Sequence, residues 1–389
     1  MIHSHSFPES LNKVVIDSSA LETNFRILQQ RVGQNVRVMA MVKADAYGHG
    51  MVQAAHSFSR AGCTRFAVAE IQEGVALRQA GIAGQIFVLL GFQEAEAQLF
   101  FDYDLTPVIF DYQSLGVLSQ VAVNNKRKIA VHLKVDCGMG RLGFMPSELP
   151  ALMARLHDFP GINLAGIMSH FPLADAPDSL PTLEMYQRFK TACASHHQQD
   201  LLLCHIANSG ATLYCPETCG DMVRLGVSLY GYYPDGAIGK DRNRDKQLIP
   251  AMSFSTQVIQ VKSVPAETGI SYGHTFVTDK ETRIAVLPVG YADGFLRALS
   301  NKAQVLIKGQ RARIIGRICM NLCMADVTNI PGVEPGEQVV ILGSQGLETI
   351  TADEIAEWMG TISYEVLCLF GNNNERHSIK SEEKNIERK

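Results

Sequence analysis

A lysine ends the apolar run Val38-Met39-Ala40-Met41-Val42, and the polar turn Ala44-Asp45-Ala46-Tyr47-Gly48-His49-Gly50 follows it. The run is too short for a free-standing helix and reads as a buried strand. Lys43 would sit where that strand leaves the core. Lysine is almost never buried without a partner or a task. One such task is a Schiff base, in which a desolvated amine condenses with a carbonyl compound. The plainer reading is a side chain snorkelling from a strand end. Other polar residues also follow apolar runs: His170 in Gly166–Phe171, Asn208 and Ser209 in His205–Gly210, and Arg224 and Gly226 in Met222–Val227. Taken singly, His170 is an ordinary strand-end histidine, Asn208-Ser209 a helix cap, and Arg224 half of a salt bridge.

The elements that position these residues alternate. Strand-like runs end near Val42, Ala69, Leu90, Ile109, Val135, Ser169, Ile206 and Val227. Helical periodicity fills Met51–Ala61 and Ile71–Ala80, the second containing Glu73 and Arg78. Eight strands with helical crossovers predict an α/β fold, an N-terminal (β/α)8 TIM barrel over residues 12–245. Its chemistry should gather at the C-terminal strand ends, where the residues above fall. An open doubly wound sheet is the alternative, and no Gly-x-Gly-x-x-Gly turn follows the first strand to support it. After Tyr233 the composition turns polar, with a linker and domain boundary expected near 240–248. Short alternating runs at Ser253–Val264, Arg283–Val289, Gln304–Ile307, Ala312–Ile315 and Glu337–Leu342 predict a mostly β domain over 246–389. Residues 1–11 are expected to pack on it. One helix is expected at Ala352–Met359 with Thr351 as N-cap, and the tail from Arg376 should fray.

With 389 residues, 46% hydrophobic and 19% charged, the chain has material for two domains. A net charge of −4 without a long basic run argues against nucleic acid or an anionic membrane as main partner. No run approaches transmembrane length, and Met1–Pro8 has neither a basic nor an apolar leader region, so a cytoplasmic location is the default. Nine scattered cysteines do not suggest a disulfide framework. Cys215/Cys219 and Cys319/Cys323 lack a second suitably spaced pair, so no metal site is expected.

The stretch Val42-Lys43-Ala44-Asp45-Ala46-Tyr47-Gly48-His49-Gly50 resembles the pyridoxal-phosphate attachment motif of alanine racemases, a fold-type III family. Further matches run in order over most of residues 12–371. The resemblance implies pyridoxal 5'-phosphate as cofactor, with Lys43 supplying the amine. Tyr47, Ser209, Gly226, Val227 and Tyr364 would hold the phosphate, beside the Asn208 cap. His170 would pack on the ring, and Arg224, oriented by His205, would face the pyridine nitrogen. A guanidinium can only donate, so that nitrogen would stay unprotonated and the cofactor would be a weaker electron sink. That favours returning a proton to Cα. Racemisation needs two acid–base groups on opposite faces. The resemblance gives these as Lys43 and Tyr272, the latter in Gly269-Ile270-Ser271-Tyr272-Gly273 and reaching the site of the other subunit of a homodimer. Free lysine and tyrosine have pKa values of about 10.4 and 10, so both need a cationic or desolvated setting near neutrality. By the same resemblance Arg141 and the Met320 N–H bind the substrate carboxylate. Lys134 is a candidate for carbamylation, and as an anion it would orient Arg141. Tyr291 and Tyr364 narrow the entrance, and Asp175, Arg297 and Arg317 line its outer corridor. The product D-alanine would supply peptidoglycan synthesis.

The chain departs from the family pattern twice. Gly316-Arg317-Ile318-Cys319-Met320-Asn321 carries asparagine where the family usually has aspartate. Phe370-Gly371-Asn372-Asn373-Asn374-Glu375-Arg376-His377 replaces the usual Arg-Val-Pro-Arg end. Asn321 keeps open a racemase of serine or other small amino acids. A non-catalytic pyridoxal-phosphate carrier is the reading of another class. Such proteins share the barrel and lysine but generally lack a β domain.

Overall fold

The computed structural model describes residues 10–175, 180–194, 202–236 and 247–380. The chain divides into two compact units. One comprises residues 19–46 and 51–249; the other comprises the segments up to Ser18, residues 47–50 and those from Pro250 onward. The linker expected near 240–248 falls mostly on 237–246, outside the described residues.

The first unit is an eight-stranded parallel sheet: β1 (Arg37–Met41), β2 (Arg65–Val68), β3 (Gln85–Val88), β4 (Leu105–Ile109), β5 (Ile129–Lys134), β6 (Ile162–Met168), β7 (Leu203–His205) and β8 (Met222–Leu225). The order is β7-β6-β5-β4-β3-β2-β1-β8. The gap between β7 and β8 is bridged by Asp221 N–H to Cys204 O at 3.3 Å and Arg224 N–H to Ala207 O at 3.0 Å. A nearly closed TIM-like barrel results. Every residue of β4 and of β8 is buried, as expected of strands covered on both faces. The expected strand ends lie within two residues of those observed. The helix Ser18–Val32 precedes β1, and the short 3-10 turn Val227–Tyr230 follows β8. Buried Asn24 of that leading helix joins the two ends. Its amide donates to Leu229 O and Ile249 O, and its oxygen accepts from Ile249 N–H at 2.8 Å.

The second unit is mostly β. Its ten-stranded sheet runs Gln260–Val264, Thr282–Leu287, Cys323–Asp326, Gln310–Ile314, Gln304–Ile307, Gln338–Gln345, Met252–Gln257, Lys13–Asp17 and Arg376–Ile379, with Glu348–Ile350 paired to Gln338–Gln345. Burial alternates along Met252–Gln257, the period-two signature of a strand with one face inward. The run read as Ser253–Val264 is two strands, broken after Gln257. The fraying expected from Arg376 does not occur there. Arg376–Ile379 pairs parallel with Lys13–Asp17, in register Val14 to Arg376, so the sheet edge orders a polar segment that has little apolar content of its own. Helix Ala352–Met359 forms with the expected cap, Thr351 Oγ1 accepting from Glu354 N–H at 3.1 Å. The helix Ser363–Asn373, which carries Tyr364, was not foreseen.

Candidate active site

Beyond β1 the chain turns the wrong way for an L-peptide. Ala44, Asp45, Ala46 and Tyr47 have φ of 53°, 50°, 56° and 55°, a run of left-handed residues without glycine. Each such residue costs roughly 1–2 kcal/mol, so the surroundings must hold it. On the barrel side, Ala44 N–H donates to Glu73 Oε1 at 2.8 Å, and Met51 N–H to Asp45 Oδ1 at 2.6 Å. The other oxygen of Glu73 accepts from Ala69 N–H at 2.7 Å, which ties the turn to the loop after β2. Lys43, half-buried, is the residue just before this left-handed stretch.

Arg224, on β8, is 4% exposed, and among the described residues no carboxylate pairs with it. This corrects the salt-bridge reading. Nη1 donates to His205 Nδ1 (2.9 Å) and His205 O (3.1 Å); Nη2 donates to Ser169 O (2.5 Å), Ile206 O (3.1 Å) and His170 Nδ1 (3.1 Å). Burial, then the nearby Arg141, pushes its guanidinium down to about 9. His170 and His205 are held well below the usual imidazole range, first by burial and next by Arg224. Both can therefore accept from the guanidinium as neutral rings.

Lys134 closes β5 and is 6% exposed. Burial, then Arg224 and Arg141, pushes its amine down to about 7, against the opposing Asp136. Asp136 shapes the loop that carries Arg141. Its Oδ1 accepts from the N–H groups of Gly138 (2.9 Å), Met139 (2.7 Å) and Gly140 (3.1 Å), and Oδ2 from that of Arg141 (2.9 Å). Asn208 caps the short helix Ser209–Tyr214, accepting from Ala211 N–H at 3.0 Å. Ser209 Oγ accepts from Gly226 N–H at 2.9 Å and from the Ser228 hydroxyl at 2.8 Å. Val227 is buried beside them, and Asp175 lies in the loop after β6, its carboxyl pushed up by partial desolvation and then by Asp235. The barrel end thus gathers Lys43, Lys134, Arg141 and Arg224, and after burial it is these positive charges that lower Lys134 and His170. Such a concentration of cation suits a ligand bearing phosphate and carboxylate groups. The amine of Lys43 and the donor-only Arg224 suit an aldehyde and a ring nitrogen with a lone pair.

In the second unit most candidate residues stand on loops and short 3-10 turns, and Tyr364 on the helix Ser363–Asn373. Ser271 has φ 61° and ψ −169°, a region almost confined to glycine. Its hydroxyl donates to Arg317 O at 2.6 Å and lies 3.4 Å from Cys319 Sγ. Tyr272 follows, 69% exposed, over an open groove of about 510 Å³ that Cys319, Leu322 and Met324 also line. Buried Ile270, Ile284 and Ile315 support its floor. Tyr291 N–H donates to Cys319 O (3.1 Å) and Ala292 N–H to Met320 O (3.0 Å), which pins these two loops to each other. The Met320 N–H has no acceptor among the described residues. Asn321 and Arg297 are exposed. Tyr47 is buried with its ring 5.9 Å from that of Tyr364, and burial pushes its phenol up. A Cβ on Gly48 would collide with Leu367 O, so only glycine lets the helix Ser363–Asn373 approach so closely. Arg376, from the atypical C-terminal segment, donates to Gly371 O at 3.0 Å and to Gly48 O at 3.4 Å.

Fold and site define a (β/α)8-barrel enzyme with an appended β domain, a lysine at the first strand end and a cationic barrel mouth. The family description "Alanine racemase, N-terminal domain" matches residues 16–234, and "Alanine racemase, C-terminal domain" matches residues 251–378. The chain belongs to the alanine racemase family of isomerases. It is 41% identical to the alanine racemase of Halothermothrix orenii over 355 residues, covering 91% of this chain and 93% of the relative. The alanine racemase structure from E. faecalis has a TM-score of 0.87 at 34% identity, over 95% of this chain and 98% of that one. The Bartonella henselae alanine racemase, solved with covalently bound pyridoxal phosphate, has a TM-score of 0.86 at 26% identity, over 96% and 100%.

Proposed function

We propose that the chain interconverts L- and D-alanine with pyridoxal 5'-phosphate bound through Lys43, in a homodimer whose subunits share their sites, and that it supplies D-alanine for peptidoglycan from the cytoplasm. The observation that carries this reading is buried Arg224, a guanidinium whose acceptors among the described residues are all neutral. It offers the cofactor's ring nitrogen a donor and never a base. When bound, the cofactor supplies an electron sink that acidifies the substrate Cα–H.

The residues do the rest. The Lys43 amine, released when the substrate amine takes its place, removes or returns the Cα proton on one face. The hydroxyl of Tyr272 of the partner subunit does so on the other, and its exposure in a lone chain supports that arrangement. Tyr47, Tyr364, Asn208, Ser209 and the N–H groups of Gly226 and Val227 hold the phosphate, and His170 packs on the ring. Arg141 and the Met320 N–H bind the substrate carboxylate. A Lys134 amine lowered to about 7 is nucleophilic toward carbon dioxide, and the resulting carbamate would neutralise the local positive charge and orient Arg141. Tyr291 and Tyr364 narrow the entrance to small side chains, with Asp175, Arg297 and Arg317 outside them.

Mixing an inactive Lys43→Ala chain with an inactive Tyr272→Phe chain tests the shared site. Each hybrid dimer should have about half of wild-type turnover, since one of its two sites is intact, and a fully exchanged equal mixture about a quarter. No recovery after demonstrated subunit exchange would remove Tyr272 from the partner's site.

A further inference from the structure

His205 is gripped from both sides. Arg224 Nη1 lies 2.9 Å from its Nδ1, and His132 Nδ1, on β5, lies 2.9 Å from its Nε2. Arginine has no acceptor, so His205 Nδ1 must be the acceptor of that pair. Burial, ahead of Arg224 in each case, holds His205 well below the ordinary imidazole range and His132 at about 3, so both rings are neutral. A neutral imidazole carries one proton. That of His205 therefore sits on Nε2 and points at His132 Nδ1, which must accept it. One guanidinium thus dictates the tautomers of two imidazoles in succession.

The fold makes a dedicated place for His132. The β5–β6 register slips between Val131 and His132, the extra residue Ala165 lying on β6, and this brings Gly166 opposite His132. Its ladder partner is Gly166, where a Cβ would collide with the His132 ring. The Phe87 ring meets it edge-on, 4.9 Å away at 88°. His132 is 1% exposed, so the hydrogen bond to His205 is sheltered from water.

We propose that His132 is a positioning residue: by accepting from His205 Nε2–H it holds Nδ1 of that ring toward Arg224, and so fixes the guanidinium against the cofactor's ring nitrogen. The inference rests on the role given to Arg224 above. Without an acceptor at 132, a buried N–H is left unmet, and His205 gains by turning Nδ1 away from Arg224.

The test pairs His132→Asn, whose Oδ1 falls close to the lost Nδ1 and still accepts, with His132→Leu, which fills similar space and cannot. Pyridoxal phosphate affinity should fall about tenfold in His132→Leu, the loss of one hydrogen bond to a charged network, and stay within about twofold in His132→Asn. Histidine 15N spectra of the apoprotein give a second readout that needs neither cofactor nor turnover. His205 should be protonated on Nε2 in the wild type and in His132→Asn, and should change in His132→Leu. Equal affinities for the two variants, or a wild-type His205 protonated on Nδ1, would overturn the proposal; the wild-type spectrum stands even where His132→Leu does not fold. Arg224→Lys separates the two levels. Unchanged cofactor affinity in that variant removes the role of Arg224, whereas weakened affinity there with equal His132 variants removes the relay alone.

Discussion

The barrel and the β unit hold their candidate residues in opposite ways. At the barrel's strand ends, polar side chains are buried and fixed to one another: Arg224 is 4% exposed and makes five hydrogen bonds. In the β unit, Tyr272 projects from a loop, 69% exposed, and it is the backbone before it that is fixed, through strained Ser271. The first arrangement tunes charge and tautomer, because each buried polar group restricts the next. The second leaves a phenol open to solvent in the single chain, as the proposed shared site requires. A carrier of the cofactor would need only the first arrangement, and an enzyme moving protons on two faces needs both.

Lys43→Ala removes the barrel's contribution to chemistry and should have the largest effect. Racemisation should fall at least a thousandfold, with loss of the visible absorbance of bound cofactor. Turnover within tenfold of wild type would break the barrel side of the comparison. Tyr272→Phe should leave that absorbance intact and slow turnover by about 10²–10⁴, the range of a lost acid–base group, with a larger Cα–H isotope effect in one direction than in the other. Small, symmetrical effects would mean that the exposed loop serves packing only.

The smallest expected effect concerns Lys134 and stability. Its folded pKa of about 7 lies below the ordinary 10.5, so between those values the unfolded chain binds more protons and stability rises with pH. The burial penalty is fully present below pH 7. In buffer free of carbon dioxide, Lys134→Met should therefore unfold at a higher temperature than wild type at pH 6, and the gap should close as pH rises through 7 toward 10. A gap independent of pH would show that the Lys134 amine is not depressed.

Much of the barrel was legible because parallel strands read as short apolar runs with sharp ends, and strand ends are where function collects. The motif from Val42 to Gly50 gave Lys43 its place; it gave no hint of the left-handed turn. Ala44-Asp45-Ala46-Tyr47 has no glycine to signal positive φ, and the group that holds Ala44 is Glu73, 29 residues away. His132 was illegible for a similar reason. It sits in mid-strand, and its meaning lies in its contact with His205, 73 residues away. In the β unit, the helix Ser363–Asn373 and the strand Arg376–Ile379 escaped because their partners, Gly48 and Lys13–Asp17, lie at the far end of the chain. Arg376 shows how an atypical C-terminal end still reaches the motif, through the carbonyls of Gly371 and Gly48. Asp136 could have been noticed: an aspartate opening a glycine-rich loop is a ready acceptor for the N–H groups that follow it.

The central claim is that this chain takes a proton from the Cα of alanine and returns one on the opposite face. Deuterium incorporation at Cα in D2O, followed for L-alanine and L-serine separately with pyridoxal phosphate present, tests it most directly. The account predicts exchange with inversion for alanine and little for serine. Comparable turnover of serine would contradict the assigned preference and make Asn321 the first residue to change to aspartate. No exchange with either substrate, on protein that carries the cofactor, would contradict the claim itself.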